Sequence, residues 1–181
     1  MYSHGTVRES PGDREHLEMA RRNHWLRRVA LTVLALGLVW PHAAEAALLK
    51  DLTGRWSGVG TVTYNSGSTE RLRCVATYSV SGGTRLRQNL RCVIGGGGDG
   101  FHVTGAMNAR GSRLSGSWSE LTRSASGSVS GRFGGSGMQL AISGDLFSAS
   151  MAVQVNGCRQ SVNISWNGLN IRRISIGLRK C

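Results

Sequence analysis

Residues 71–92 read RLRCVATYSVSGGTRLRQNLRC, and the fold follows from how this stretch is paired. Ser81-Gly82-Gly83-Thr84 sits midway between Cys74 and Cys92, and a Gly-Gly pair beside Ser and Thr signals a turn. On either side apolar and polar residues alternate, the mark of a strand with one buried face. In an antiparallel pair, opposed residues have numbers of constant sum, set by the turn. A four-residue loop (81–84) gives 165 and mixes the faces. A five-residue loop (81–85) gives 166 and keeps Val80, Tyr78, Ala76, Cys74 and Leu72 opposite Leu86, Gln88, Leu90, Cys92 and Ile94. Cys74 and Cys92 then face each other on the apolar side. Opposed Cα atoms lie about 4.5–5.5 Å apart, within reach of a disulfide. Arg71, Arg73, Arg85, Arg87 and Arg91 are all odd-numbered and fall together on the polar side, a candidate anion-binding patch.

The rest of the chain from residue 47 reads the same way. Ten short alternating runs, 54–64, 70–80, 85–94, 101–107, 112–119, 126–133, 138–143, 146–155, 158–166 and 169–178, are separated by turn residues, and no convincing helical pattern intervenes. Asn-Gly at 156–157 and at 167–168 is the strongest two-residue hairpin signal. The first sets Val155 against Cys158, Met151 against Val162, Ala149 against Ile164 and Phe147 against Trp166. A turn at Gly144-Asp145 sets Ile142 against Phe147, Leu140 against Ala149 and Met138 against Met151. A loop at 134–137 sets Phe133 against Met138, Gly131 against Leu140 and Val129 against Ile142; one at 108–111 sets Gly105 against Leu114, Val103 against Gly116 and Phe101 against Trp118. Every hairpin keeps its apolar residues on one face, which a slip of one residue would destroy. The last run breaks parity between Ile171 and Ile174, and a β-bulge at Arg172-Arg173 restores it. That bulge sets Leu178 opposite Cys158, near Cys181, so a second disulfide, Cys158–Cys181, follows by elimination.

Ten antiparallel strands in a meander close most simply into an up-and-down barrel, which removes the sheet edges. Alternation alone leaves open whether the apolar face points inward or toward lipid, and aromatics near strand ends can be read as girdles. Gly58, Gly60, Gly116, Gly131, Gln88 and Gln160 dilute the apolar face, and several runs are only six to eight residues long, where a span needs about 9–11. A soluble barrel is the expectation.

The N-terminus reads as an export signal. Arg21, Arg22, Arg27 and Arg28 precede a twelve-residue apolar run, Val29 to Trp40, and Ala44-Glu45-Ala46 is an A-x-A cleavage pattern. Residues 1–46 are therefore an N-terminal extension and cleaved signal peptide, its true start placed at Met19 or at Met1. Residues 47–181 form one domain, periplasmic or secreted. All four cysteines lie in this part, an even number suited to an oxidising compartment. It holds 14 Arg and 2 Lys against 3 Asp and 2 Glu, a net charge of +11. Such a balance draws anionic partners, although a GC-rich coding sequence yields the same excess of arginine.

Leu52-Thr53-Gly54-Arg55-Trp56 opens the first strand, and Leu114-Ser115-Gly116-Ser117-Trp118 repeats the pattern 62 residues later. This resembles the Gly-x-Trp opening of the lipocalin and avidin group, the calycins. The resemblance implies a barrel whose Trp closes one end and whose interior holds a small ligand. Ten strands depart from the eight of those families, and no biotin-binding set matches. The chain also looks like small exported bacterial barrels.

Catalysis is poorly supplied. Residues 47–181 hold one histidine, His102, on the polar face of a strand, and five carboxylates that sit mostly at strand ends or turns with no close pair. No spacing suits zinc, so neither metal nor cofactor is expected. The Gly-rich run 95–100 lacks the Lys-Ser/Thr of a phosphate loop. No aromatic interleaves with the arginines, which argues against nucleic acid. Two non-enzymatic classes remain. One is a carrier of a small apolar or amphipathic ligand, with Trp56, Tyr78, Trp118 and Trp166 as interior contacts. The other docks an anionic envelope component through the five hairpin arginines.

Overall fold

The computed structural model describes residues 42–96 and 100–181, with side chains from Ala47 onward. The basic and apolar runs of the expected signal peptide lie outside the described residues, as does Asp99. The elements are one helix, α1 (His42–Leu52), then β1 (Gly54–Tyr64), β2 (Thr69–Ser81), β3 (Arg85–Ile94), β4 (Gly100–Arg110), β5 (Arg113–Glu120), β6 (Ala125–Gly134), β7 (Gly137–Gly144), β8 (Ser148–Asn156), β9 (Arg159–Asn167) and β10 (Ile171–Arg179). Each strand pairs antiparallel with the next, and β1 pairs with β10 to close the barrel. The unit Pro41–Cys181 contains α1, the whole barrel and both disulfides.

The deciding hairpin pairs as its alternation requires. Cys74 faces Cys92, Tyr78 faces Gln88 and Val80 faces Leu86, and the cysteines are bonded with a Cα–Cα distance of 4.1 Å. Cys158 and Cys181 form the second disulfide. The β6–β7 register is also as expected. Four other hairpins are corrected by an even number of residues. In β8–β9 the tight turn is Gly157-Cys158, so Met151 faces Ile164 and Ala149 faces Trp166. In β7–β8 Leu140 faces Met151, and the connection runs over 144–147. In β4–β5 Gly105 faces Trp118 and Met107 faces Gly116 across a two-residue turn at 111–112. In β9–β10 Leu178 faces Gln160 and not Cys158. Shifts of two or four leave every side chain on its expected face. The bulge lies where parity demands it, since Thr63 faces Arg173 while Tyr64 faces Ile171.

The apolar face points inward. Leu72, Cys74, Ala76, Leu86, Leu114, Ile176 and Leu178 are buried, while the outward positions carry Ser, Thr, Asn and Arg. This orientation decides against a lipid-facing apolar surface. Glycine lets the wall curve tightly: a Cβ on Gly58 would collide with the Gly177 carbonyl, and one on Gly116 with that of Ala106.

The helix was not expected. Its sequence, HAAEAALLKDL, is rich in strong helix formers, but the same small residues form the A-x-A pattern and were read as part of the signal. The expected cleavage after Ala46 falls inside α1, and the buried Leu48, Leu49 and Leu52 lie beyond it. These three share one face and cap one end of the barrel.

Candidate functional site

The two ends of the barrel differ. At the closed end, α1 sits over Trp56, which is fully buried and donates its Nε1–H to the Leu52 carbonyl at 2.7 Å. Lys180 lies 5.0 Å from the Trp56 ring centroid, and its Nζ donates to the Asp51 carbonyl at 2.5 Å. Trp56 thus holds the cap in place, as the Gly-x-Trp resemblance implied, and is screened from any ligand.

Below the cap, the interior is filled. A cavity of about 30 Å³ lies there, lined by Tyr78, Gln88 and Gln160 among Met107, Met138, Met151 and aliphatic side chains. That is room for a water molecule or two, and too little for a carried ligand. The Gln160 amide donates to the Tyr78 hydroxyl at 3.1 Å, while Gln160 Oε1 is buried with no partner among the described residues. Burial pushes the Tyr78 hydroxyl up to about 12, against the opposing effect of the Gln160 hydrogen bond.

The opposite end forms a mouth. Tyr64, Ile94, Phe101, Val103, Trp118, Ile142, Trp166 and Ile171 reach it from seven strands and are only partly buried. Phe147 links two of them: its ring centroid is 5.4 Å from that of Trp118 and 5.0 Å from that of Trp166. Trp118 Nε1 donates to the Ser143 carbonyl at 3.1 Å. Trp166 Nε1 is buried with no described acceptor. The loops around this mouth expose Leu121 at 54% and Leu146 at 84%. Of the four expected interior contacts, Trp118 and Trp166 therefore come together at the mouth, Tyr78 lies in the deep cavity, and Trp56 belongs to the cap. Phe147 was missed because it was placed in a strand opposite Trp166; it lies instead in the connection before β8.

The hairpin arginines are all exposed on the outer face but do not form one cluster. Arg71, Arg73 and Arg91 lie toward the mouth, where Arg91 Nε approaches His102 Nε2 at 3.4 Å. Arg85 and Arg87 lie toward the closed end, four or more residues away along β3, about 13 Å or more. His102 is half-buried, with Nε2 3.1 Å from Asn89 Oδ1.

The sequence matches no family model, and no curated protein matches it. Among solved structures, the fold is similar to the crystal structure of Rv2717c from M. tuberculosis, with a TM-score of 0.63 and 12% identity over 76% of this chain and 97% of that one. EF1p2_mFAP2b, solved bound to DFHBI, gives a TM-score of 0.48 at 9% identity, covering 76% of this chain and 99% of that one. A redesigned β-barrel, b11L5F_LGL, gives 0.44 at 10% identity, covering 74% and 95%. The last two similarities are too low to support an argument. What the first establishes is the fold alone: this chain is a small closed β-barrel.

Proposed function

We propose that this is an exported, non-catalytic barrel that takes a small amphipathic ligand at its mouth. Export is supported by the N-terminal pattern and by the two disulfides. The observation that carries the ligand reading is the Trp118–Phe147–Trp166 cluster, partly exposed at the end opposite α1, with the Trp166 indole N–H beside it and no acceptor among the described residues. Three aromatic rings offer an apolar surface, and an indole N–H with no acceptor among the described residues suits an acceptor oxygen. An apolar body bearing one such oxygen answers both. The ligand sits in the mouth and not along the axis, because the filled interior leaves no channel for it.

Titration of the Pro41–Cys181 unit with a fatty acid, a retinoid and haem tests this by tryptophan fluorescence. Trp56, sealed under α1, serves as an internal reference. The expected result is saturable quenching by at least one of the three that is lost in Trp118→Phe/Trp166→Phe, whose remaining Trp56 signal stays constant. No change with any of the three defeats the reading.

A further inference from the structure

The closed end carries its charge in an arrangement that sheet pairing disfavours. Arg110 faces Arg113 across the 111–112 turn, and Arg113 faces Arg132 on the next strand. Arg159 and Arg179 oppose each other in the same way on β9 and β10. All five are exposed, and like charges directly opposite destabilise a strand pair. Arg85 adds to the first group, since it faces Asn108, two residues before Arg110. The cross-strand partners of these six arginines include no carboxylate. Of the carboxylates with described side chains, Glu70, Glu120 and Asp145 lie at the mouth and Asp51 at the closed end, where α1 also carries Glu45. The barrel is thus polarised along its axis, with nearly unmixed positive charge on the capped rim.

The two groups of arginines identify the partner. β5 and β10 are five strands apart in a ring of ten, on opposite sides of the barrel. A partner that meets both must be at least as wide as the barrel and flat across it. Single-stranded nucleic acid would need aromatic rings to stack on, yet the outward neighbours here are Asn108, Ser115, Ser130 and Gln139. A bilayer surface meets the whole rim at once, and its phosphates suit arginine. We propose that the closed end docks upright on a membrane bearing anionic phospholipid, with the arginine rim on the headgroups and the mouth directed away. The inference stands apart from the ligand reading, which concerns the other end.

The test uses the Pro41–Cys181 unit, because the apolar run at 29–40 would bind lipid by itself. Vesicles of phosphatidylglycerol and phosphatidylcholine in equal parts are compared with phosphatidylcholine alone by co-sedimentation. Binding to the anionic vesicles only, reversed by salt, is expected. Arg110→Gln/Arg113→Gln/Arg132→Gln should weaken it about a hundredfold, from about 1 kcal/mol per arginine near an anionic surface. The charge-matched Arg71→Gln/Arg73→Gln/Arg91→Gln should weaken it by about tenfold or less. Equal loss in the two triples would reduce the effect to net charge and overturn the proposal, as would no binding by the unaltered unit or a preference for duplex nucleic acid over vesicles. Brominated acyl chains that quench Trp118 and Trp166 would overturn the orientation. Removing the opposed arginines relieves repulsion, and Arg71, Arg73 and Arg91 are exposed and face no arginine, so both triples should fold.

Discussion

Glu120 is the one carboxylate buried among the described residues. Its Oε1 accepts from the backbone amides of His102 at 2.9 Å and Thr122 at 3.0 Å, and its Oε2 from that of Arg123 at 2.5 Å. Burial alone would raise its pKa; the hydrogen bonds from His102, Thr122 and Arg123 outweigh burial and hold the carboxyl below its usual range. A folded-state pKa below the unfolded one means that the charge stabilises above the unfolded pKa and that this stability is lost as pH falls through the folded one. Glu120→Gln should therefore lower stability at neutral pH by about 1–3 kcal/mol, and the gap from the unaltered protein should close in acid. Urea melts at neutral pH and in acid read this directly; a gap that persists unchanged in acid would contradict it. In the deep cavity, Tyr78→Phe alone should cost about 1–3 kcal/mol, because it strips the Gln160 amide of its remaining partner. Tyr78→Phe/Gln160→Leu should recover most of that loss, since both polar partners are then gone. None of this was legible from alternation, which put Tyr78 and Gln88 opposite each other on the apolar face but could not bring Gln160 to them across the barrel.

At the scale of elements, the β2–β3 hairpin was the most legible part of the sequence. Two cysteines, a Gly-Gly turn and five odd-numbered arginines all demand one register, and the structure has it. Cys74→Ala/Cys92→Ala should cost about 3 kcal/mol by freeing a loop of that size in the unfolded chain, measured by urea denaturation. A loss well under about 1 kcal/mol would mean that the hairpin needs no staple. The helix was illegible for a different reason. Alanine-rich sequence serves both a cleavage site and a helix, and only the barrel end that Leu48, Leu49 and Leu52 cover distinguishes the two uses. Leu52→Ala should destabilise by about 2–5 kcal/mol and, by loosening the cap, expose Trp56 to acrylamide. Unchanged Trp56 quenching would show that the cap holds without it. Gly116→Ala, which forces a Cβ onto the Ala106 carbonyl, should cost about 1–3 kcal/mol by the same assay.

For the whole molecule, the contrast between its ends matters most. One end is sealed by α1, Trp56 and Lys180, and ringed with arginine; the other opens on aromatic side chains and exposed leucines. A mass spectrum of the domain purified from a bacterial periplasm bears on several of these readings together. Two disulfides make the denatured mass lighter by four hydrogens, and an N-terminus at Ala47 would place cleavage within α1. A discrete native adduct would identify the cargo of the mouth.

Alternation and turn residues by themselves determined the number of strands, their antiparallel order and the face on which each side chain lies. They could do so because a slip of one residue moves every apolar side chain to the wrong face. They could not see slips of two or four, which conserve parity, and so misplaced the β4–β5, β7–β8, β8–β9 and β9–β10 turns. Only closure of the ring, in which every strand has two partners, selected those registers. The tertiary structure likewise decided which way the apolar face points, what seals one end, and which arginines become neighbours. Those are relations between strands far apart in sequence, and the period of a single strand carries no record of them.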